Sequence, residues 1–206
     1  IKSDKVIDLG NSGTSARLLT GLLSSQNFNS TLVGDTSLSK RPMARITKPL
    51  ELMGAKFDNN HNKLPLKIYG KKLHKIDYEL ELPSAQVKSG LIFAALNTDG
   101  KSKIVEKKIT RNHTEIMLES FEADIKINKV DSENHIFVNG KKELVPKNIS
   151  VPSDLSSASF FIVAALINKN SFITMNNISL NPTRNGILKA LNLMQANIKI
   201  KNKRTN

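Results

Sequence analysis

Three short runs of small polar residues, Ser12-Gly13-Thr14, Ser84-Ala85-Gln86 and Ser156-Ser157-Ala158, each stand at the entrance of an apolar stretch that reads as a helix. The first turn of a helix leaves N–H groups without intrahelical partners and carries the positive end of the dipole, so such an entrance suits a phosphate or carboxylate. Gly13 lets a ligand approach the backbone closely, while Ser84 and Gln86 add side-chain donors. Downstream of each entrance comes an arginine at a loop-to-helix junction: Arg41 in "RPMARI", Arg111 in "TRNHTEIML" and Arg184 in "PTRNGIL". Arginine is the side chain suited to planar, bidentate capture of carboxylate and phosphate. Taken singly, each helix start is explained first by ordinary N-capping, and each arginine by a surface cation. Their repetition together argues for the binding of small anions.

Other groups carry less. His61, His74, His113 and His135 show no metal-ligand spacing, and His113 with Glu115 falls in the first turn of a helix. Asp35 in "VGDTSL" and Asp154 in "VPSDLSS" have the chemistry of acid–base groups, but both sit where a turn former or N-cap belongs, and that reading is preferred. No Ser-His-Asp arrangement emerges.

The elements that must position these residues come from a repeat of about seventy residues. Ser12, Ser84 and Ser156 are spaced by 72 residues each; Arg41, Arg111 and Arg184 by 70 and 73. Related endings follow each arginine: "LMGAKF", "SFEADIKI" and "LMQANIKI". Within each copy a strand ("KVIDLG", "YELELP", "NISVP") leads to a first helix apolar on nearly every side, which belongs in an interior. A second strand follows ("STLVGD", "SKIVEK", "SFITMNN"), then an amphipathic helix in which Ile187, Leu188, Leu191 and Met194 keep helical spacing. Pro49 is expected to break or kink the equivalent helix of the first copy. Further strands such as "LPLKIYG" and "HIFVNG" complete the order β-α-β-α-β-β, expected twice in full and a third time without its last strand. Buried helices with half-solvated sheets outside them give an α/β (α+β) fold that is the reverse of a doubly wound one. The segment "PKNISVP", bracketed by Pro146 and Pro152, is the expected boundary before the third copy.

Composition sets the outer limits. The chain has 206 residues, 39% hydrophobic and 24% charged, as a globular protein does. The formal charge of +13 admits a nucleic-acid surface, a cleft for small anions or a solvated lysine-rich surface. Aromatics are only 5% with no Trp, and no long basic block occurs, which counts against nucleic acid. No apolar run reaches the ~18 to 20 residues that span a bilayer. The absence of cysteine excludes disulfides and thiolate metal sites and is compatible with a reducing cytoplasm. The start at Ile1 without Met and the end in "NIKIKNKRTN" read as a piece of a longer protein.

Together "LGNSGTSARLL", "VGDTSLSKRPMARITKPLELMGA", "LPSAQVKSGLIFAAL", "ITRNHTEIML", "VPSDLSSASFFIVAALI" and "NPTRNGILKALNLM" resemble the 5-enolpyruvylshikimate-3-phosphate synthases of the shikimate pathway, in order and over essentially the whole chain. The "SAQVK" and "NPTR" forms resemble the branch that includes glyphosate-tolerant bacterial enzymes. The resemblance implies an inside-out α/β barrel built from six β-α-β-α-β-β units. Residues 1–150 would be two of the three units of the inserted substrate-binding domain, and 151–206 the truncated start of the second domain. It implies transfer of an enolpyruvyl group from phosphoenolpyruvate to the 5-hydroxyl of shikimate 3-phosphate, with no metal or organic cofactor, by a cytoplasmic protein that is monomeric at full length.

By motif, Asn11, Gly13 and Thr14 would shape the turn beside phosphoenolpyruvate and Arg41 would grip that ligand. Ser84, Ala85 and Arg111 would contact the shikimate phosphate, with Gln86 reaching both ligands. The family's catalytic acid and base groups would lie beyond Asn206, so this chain alone is expected to be inert. Family members with Ala in place of Gly13 tend to resist glyphosate, so Gly13 implies sensitivity, whereas the branch resemblance implies tolerance. Two rivals are weighed. A UDP-N-acetylglucosamine enolpyruvyl transferase shares fold and donor but usually presents an active-site cysteine. A basic RNA-binding module resembling the RNA-phosphate cyclases uses similar repeats.

Overall fold

The computed structural model describes residues 6–203, which divide after Lys147 into two compact units. Lys5 of the first expected strand and the last three residues of "NIKIKNKRTN" lie outside the described residues.

The first unit contains the repeat twice. Copy one runs β1 (Ile7–Asp8), α1 (Gly13–Ser24), β2 (Ser30–Val33), α2 (Thr36–Ser39), α3 (Ala44–Leu52), β3 (Lys56–Asn60) and β4 (Lys63–Tyr69). Copy two runs β5 (Asp77–Glu79), α4 (Ala85–Leu96), β6 (Lys101–Glu106), α5 (His113–Ser120), β7 (Ile125–Val130) and β8 (Glu133–Asn139). Each copy builds a four-stranded sheet of the same topology, β1-β2-β4-β3 and β5-β6-β8-β7. The first pair of each is parallel, because a helix connects its strands, and the remaining pairs are antiparallel.

The strands alternate as a half-buried sheet must. Leu64, Leu66 and Ile68 of β4 point inward while Lys63, Pro65 and Lys67 face out; Ile136 and Val138 of β8 are inward counterparts. Between the sheets α1 and α4 pack on one another, and α4 buries eight of its twelve residues, including Lys88 and Ser89 beside its apolar run. The helices cross at two glycines: a Cβ on Gly21 would lie 1.9 Å from the Gly90 carbonyl oxygen. One continuous core, from Ala16 through Ile46 and Leu91 to Val138, joins both copies.

Three local expectations change. The short helix α2 was not foreseen. Helix α3 is not broken at Pro49 but continues through it to Leu52, giving up one ladder bond while burying Ile46, Thr47, Pro49 and Leu50. Met194, expected on the buried stripe of the last helix, is its exposed C-cap.

The second unit departs further from the repeat. It contains α6 (Leu155–Ile167) and α7 (Gly186–Leu193), but neither expected strand, "NISVP" nor "SFITMNN", forms; a single parallel bridge joins Ser153 to Ile178, one residue past the end of each. An isolated bridge of this kind is marginal by itself, and among the described residues no strand is assigned in this unit. Helix α6, expected in an interior, buries only Leu155, Ala158 and Ile162; Phe160 and Ile167 are each about three-quarters exposed. In the first unit α1 and α4 cover one another, whereas within its own unit α6 has only the small cluster around Leu191. Among the described residues no helix is long and apolar enough to cross a membrane.

Candidate anion-binding site at two helix starts

Each first helix is capped by a side-chain oxygen that accepts from the N–H three residues on. Ser12 accepts from Ser15 (3.1 Å), Ser84 from Val87 (3.3 Å) and Asp154 from Ser157 (3.1 Å). Ordinary capping is thus present at all three starts, and it separates the third from the others. Its cap is Asp154, which places Ser156 inside the first turn instead of at the cap. Burial pushes the Asp154 carboxyl upward, but hydrogen bonds from the Ser156 and Ser157 N–H groups and the Arg184 charge outweigh it and hold the carboxyl below its usual range. Arg184 donates to the Ser156 hydroxyl and lies 3.3 Å from Asp154. The third start is therefore closed by its own carboxylate and arginine.

The first two starts are brought side by side by the Gly21–Gly90 crossing. Gln86 Nε2 donates to Thr14 Oγ1 (2.9 Å), joining the second copy to the first. Arg17 Nη1 donates to the Gly13 carbonyl (2.9 Å) and to Gln86 Oε1 (3.1 Å). Arg41 Nη2 donates to Asn11 Oδ1 (2.5 Å), and Asn11 Nδ2 to Asp35 Oδ2 (2.8 Å). Asp35 in turn caps α2 through the Leu38 N–H (2.7 Å), so its carboxylate is spent on structure.

Gly13 sits at the focus. A Cβ there would lie 3.0 Å from the Nη1 atoms of both Arg17 and Arg41. The missing side chain leaves a backbone concavity flanked by two guanidinium groups at the start of a twelve-residue helix. Burial, then the charges of Arg45 and Arg41, hold the Arg17 guanidinium below its usual range. Positive charge is concentrated here against its own repulsion, and a bound anion would relieve that repulsion.

Asn11, Gly13, Thr14, Arg41 and Gln86 therefore share one hydrogen-bonded site. Ser84 and Ala85 stand half-buried at the same α4 start, where the Ser84 hydroxyl accepts the cap bond and keeps its proton to donate. Arg111 lies half-buried in the loop between β6 and α5, outside this hydrogen-bonded group. Arg17 is the member that sequence reasoning missed. It lies one helical turn after Gly13, a spacing that places both on one face, yet it opens the run "ARLLTGLL" that reads as core.

The sequence profile of the family described as EPSP synthase (3-phosphoshikimate 1-carboxyvinyltransferase) matches residues 1–206. A 3-phosphoshikimate 1-carboxyvinyltransferase of Streptococcus agalactiae is 50% identical over 200 residues, covering 96% of this chain and 46% of the relative. That of Caldicellulosiruptor saccharolyticus is 51% identical over 208 residues, with the same two coverages. The solved EPSP synthase from Acinetobacter baumannii superposes with a TM-score of 0.86 at 43% identity, covering 99% of this chain and 46% of that one. The chain spans about half the length of the relatives it matches.

Proposed function

The chain belongs to the EPSP synthase family, and from that premise we propose that the protein of which it is part transfers the enolpyruvyl group of phosphoenolpyruvate to the 5-hydroxyl of shikimate 3-phosphate. The single observation that carries this reading is Gly13, held between Arg17 and Arg41 and linked through Thr14 to Gln86 of the neighbouring helix start. Two adjacent helix starts, one of them flanked by Arg17 and Arg41, suit a reaction between two anions, each carrying a phosphate.

In this reading the α1 start, with Asn11, Gly13, Thr14, Arg17 and Arg41, holds phosphoenolpyruvate. Residues Ser84, Ala85 and Arg111 hold the phosphate of the acceptor, and Gln86 lies between the two ligands. The acceptor hydroxyl adds to the enol carbon while the methylene carbon takes a proton; the tetrahedral adduct then loses phosphate and a proton to give the enol ether. This chain supplies binding, orientation and charge neutralisation. The acid and base groups implied by the resemblance lie beyond Asn206, so the 206-residue chain alone should show no turnover. Residues 1–150 would belong to one substrate-binding domain and 151–206 to the start of the other. A cytoplasmic, monomeric full-length protein acting without metal or organic cofactor completes the proposal. Small anions are favoured over nucleic acid because the chain supplies few aromatic stacking groups.

The test is titration of full-length wild type, Arg41→Ala and Arg17→Ala with phosphoenolpyruvate in the presence of shikimate 3-phosphate. Removing either charged donor should weaken phosphoenolpyruvate binding by about tenfold or more, the scale of a hydrogen bond to a charged group. Unchanged binding in both variants would refute the assignment.

A further inference from the structure

A second polar cluster, buried inside the first unit, plays no part in the reading above. Lys88 is fully buried one turn into α4 and reaches both oxygens of Glu106 at 3.1 Å and Glu115 Oε1 at 2.6 Å. Both glutamates are about 1% exposed. Glu106, the last residue of β6, also accepts from the Thr110 N–H (3.2 Å), the Thr110 hydroxyl (2.8 Å) and Asn134 Nδ2 (3.0 Å). Beside it the Ser89 and Thr114 hydroxyls pair at 2.6 Å. The cluster therefore ties α4 to the end of β6, to the loop that follows, to the first turn of α5 and to β8.

Its position points to a purpose. Thr110, held by two bonds to Glu106, directly precedes Arg111. Lys88 follows Gln86 by two residues, and its N–H donates to the Ser84 carbonyl (3.0 Å). The cluster thus fixes the backbone bearing Arg111 relative to the helix start bearing Ser84, Ala85 and Gln86. The fold does not require it: 72 residues earlier, at the same place in α1, stands Ala16, equally buried and apolar. Burying a lysine between two carboxylates is a poor way to gain stability, since apolar residues of similar volume often do as well or better. A charged cluster confined to the copy that carries the acceptor-side residues is better explained by registry than by stability.

We propose that Lys88, Glu106 and Thr110 are positioning residues that hold Arg111 against the α4 start for binding of the acceptor's phosphate. This rests on the assignment of shikimate 3-phosphate to that copy. The test is calorimetric titration of the full-length protein with shikimate 3-phosphate, for wild type, Glu106→Gln, Arg111→Ala and the double variant, with thermal unfolding followed alongside. Thr110→Val, which removes only one hydroxyl donor from the cluster, serves where Glu106→Gln does not fold. Glu106→Gln should weaken binding by about tenfold, and adding it to Arg111→Ala should weaken binding little further, because both act through one contact. Full additivity, or wild-type affinity in a folded Glu106→Gln or Thr110→Val protein, would overturn the proposal. A wild-type protein that does not bind shikimate 3-phosphate would overturn the functional reading on which it rests.

Discussion

Replacing Gly21 by alanine tests whether the helix crossing sets the geometry of the site. A Cβ at this position would lie 1.9 Å from the Gly90 carbonyl oxygen and 2.5 Å from its carbon, where ordinary contact begins at 3.4 Å. The obstacle is backbone, so no rotamer change relieves it, and α1 and α4 must separate by about 1.5 Å at the crossing. Gly90 is closed from the other side as well, its own Cβ position lying 2.7 Å from the Arg17 carbonyl. Overpacking of this kind costs about 1 to 3 kcal/mol and sometimes more, a large part of a typical stability of about 5 to 15 kcal/mol. The same displacement, carried along the helices, would take the Gln86–Thr14 bond (2.9 Å) and the Arg17–Gln86 bond (3.1 Å) out of range. The assay is urea unfolding of the full-length protein, with phosphoenolpyruvate and shikimate 3-phosphate titrations at a urea-free temperature where the variant is folded. Gly186→Ala is the control, since nothing lies within 4 Å of its Cβ position, and it should stay within about 0.5 kcal/mol of wild type. A Gly21→Ala protein as stable as Gly186→Ala, with unaltered affinities, would refute the crossing as the determinant.

Three further outcomes follow from individual groups. Burial holds the Glu115 carboxyl above its ordinary 4.5, with Lys88 opposing only in part. The folded protein therefore holds that proton more tightly than the unfolded chain, and the associated stability is lost as pH rises from about 4.5 through the folded value. The stability difference between wild type and Glu115→Gln, followed by urea midpoint against pH, should change over that window; a pH-independent difference would contradict it. Asp154→Ala should cost about 1 kcal/mol through loss of the α6 cap, while Asp154→Asn should recover most of it, as read by urea unfolding at neutral pH. The depressed Asp154 carboxyl contributes stability that is present above 3.8 and lost as pH falls through its folded value. Gly13→Ala should fold normally, because its Cβ meets only the ends of two arginine side chains, yet bind phosphoenolpyruvate and glyphosate more weakly; unchanged glyphosate inhibition would contradict crowding at this site.

What could be read in advance divides along physical lines. The repeat, the buried character of α4 and the grouping of helix starts with arginines are properties of spacing and polarity, and spacing survives in a single sequence. Contacts made at a distance do not. Arg17 was hidden because its neighbours are core residues, although its guanidinium reaches 69 positions along the chain to Gln86. Lys88 stands just before the apolar run "SGLIFAAL", and nothing local marks Glu106 and Glu115 as its partners. The third copy differs in a way its spacing does not reveal: its markers keep the period, but the cap moved to Asp154. Apolar character alone placed α6 in an interior, whereas burial depends on what packs against it.

The most direct measurement is enolpyruvyl transfer by the full-length protein, with phosphate release and the enol ether product followed together. The account predicts stoichiometric phosphate and enolpyruvyl ether from phosphoenolpyruvate and shikimate 3-phosphate, with no transfer to UDP-N-acetylglucosamine. No product from shikimate 3-phosphate, or transfer to the UDP-sugar in its place, would contradict it.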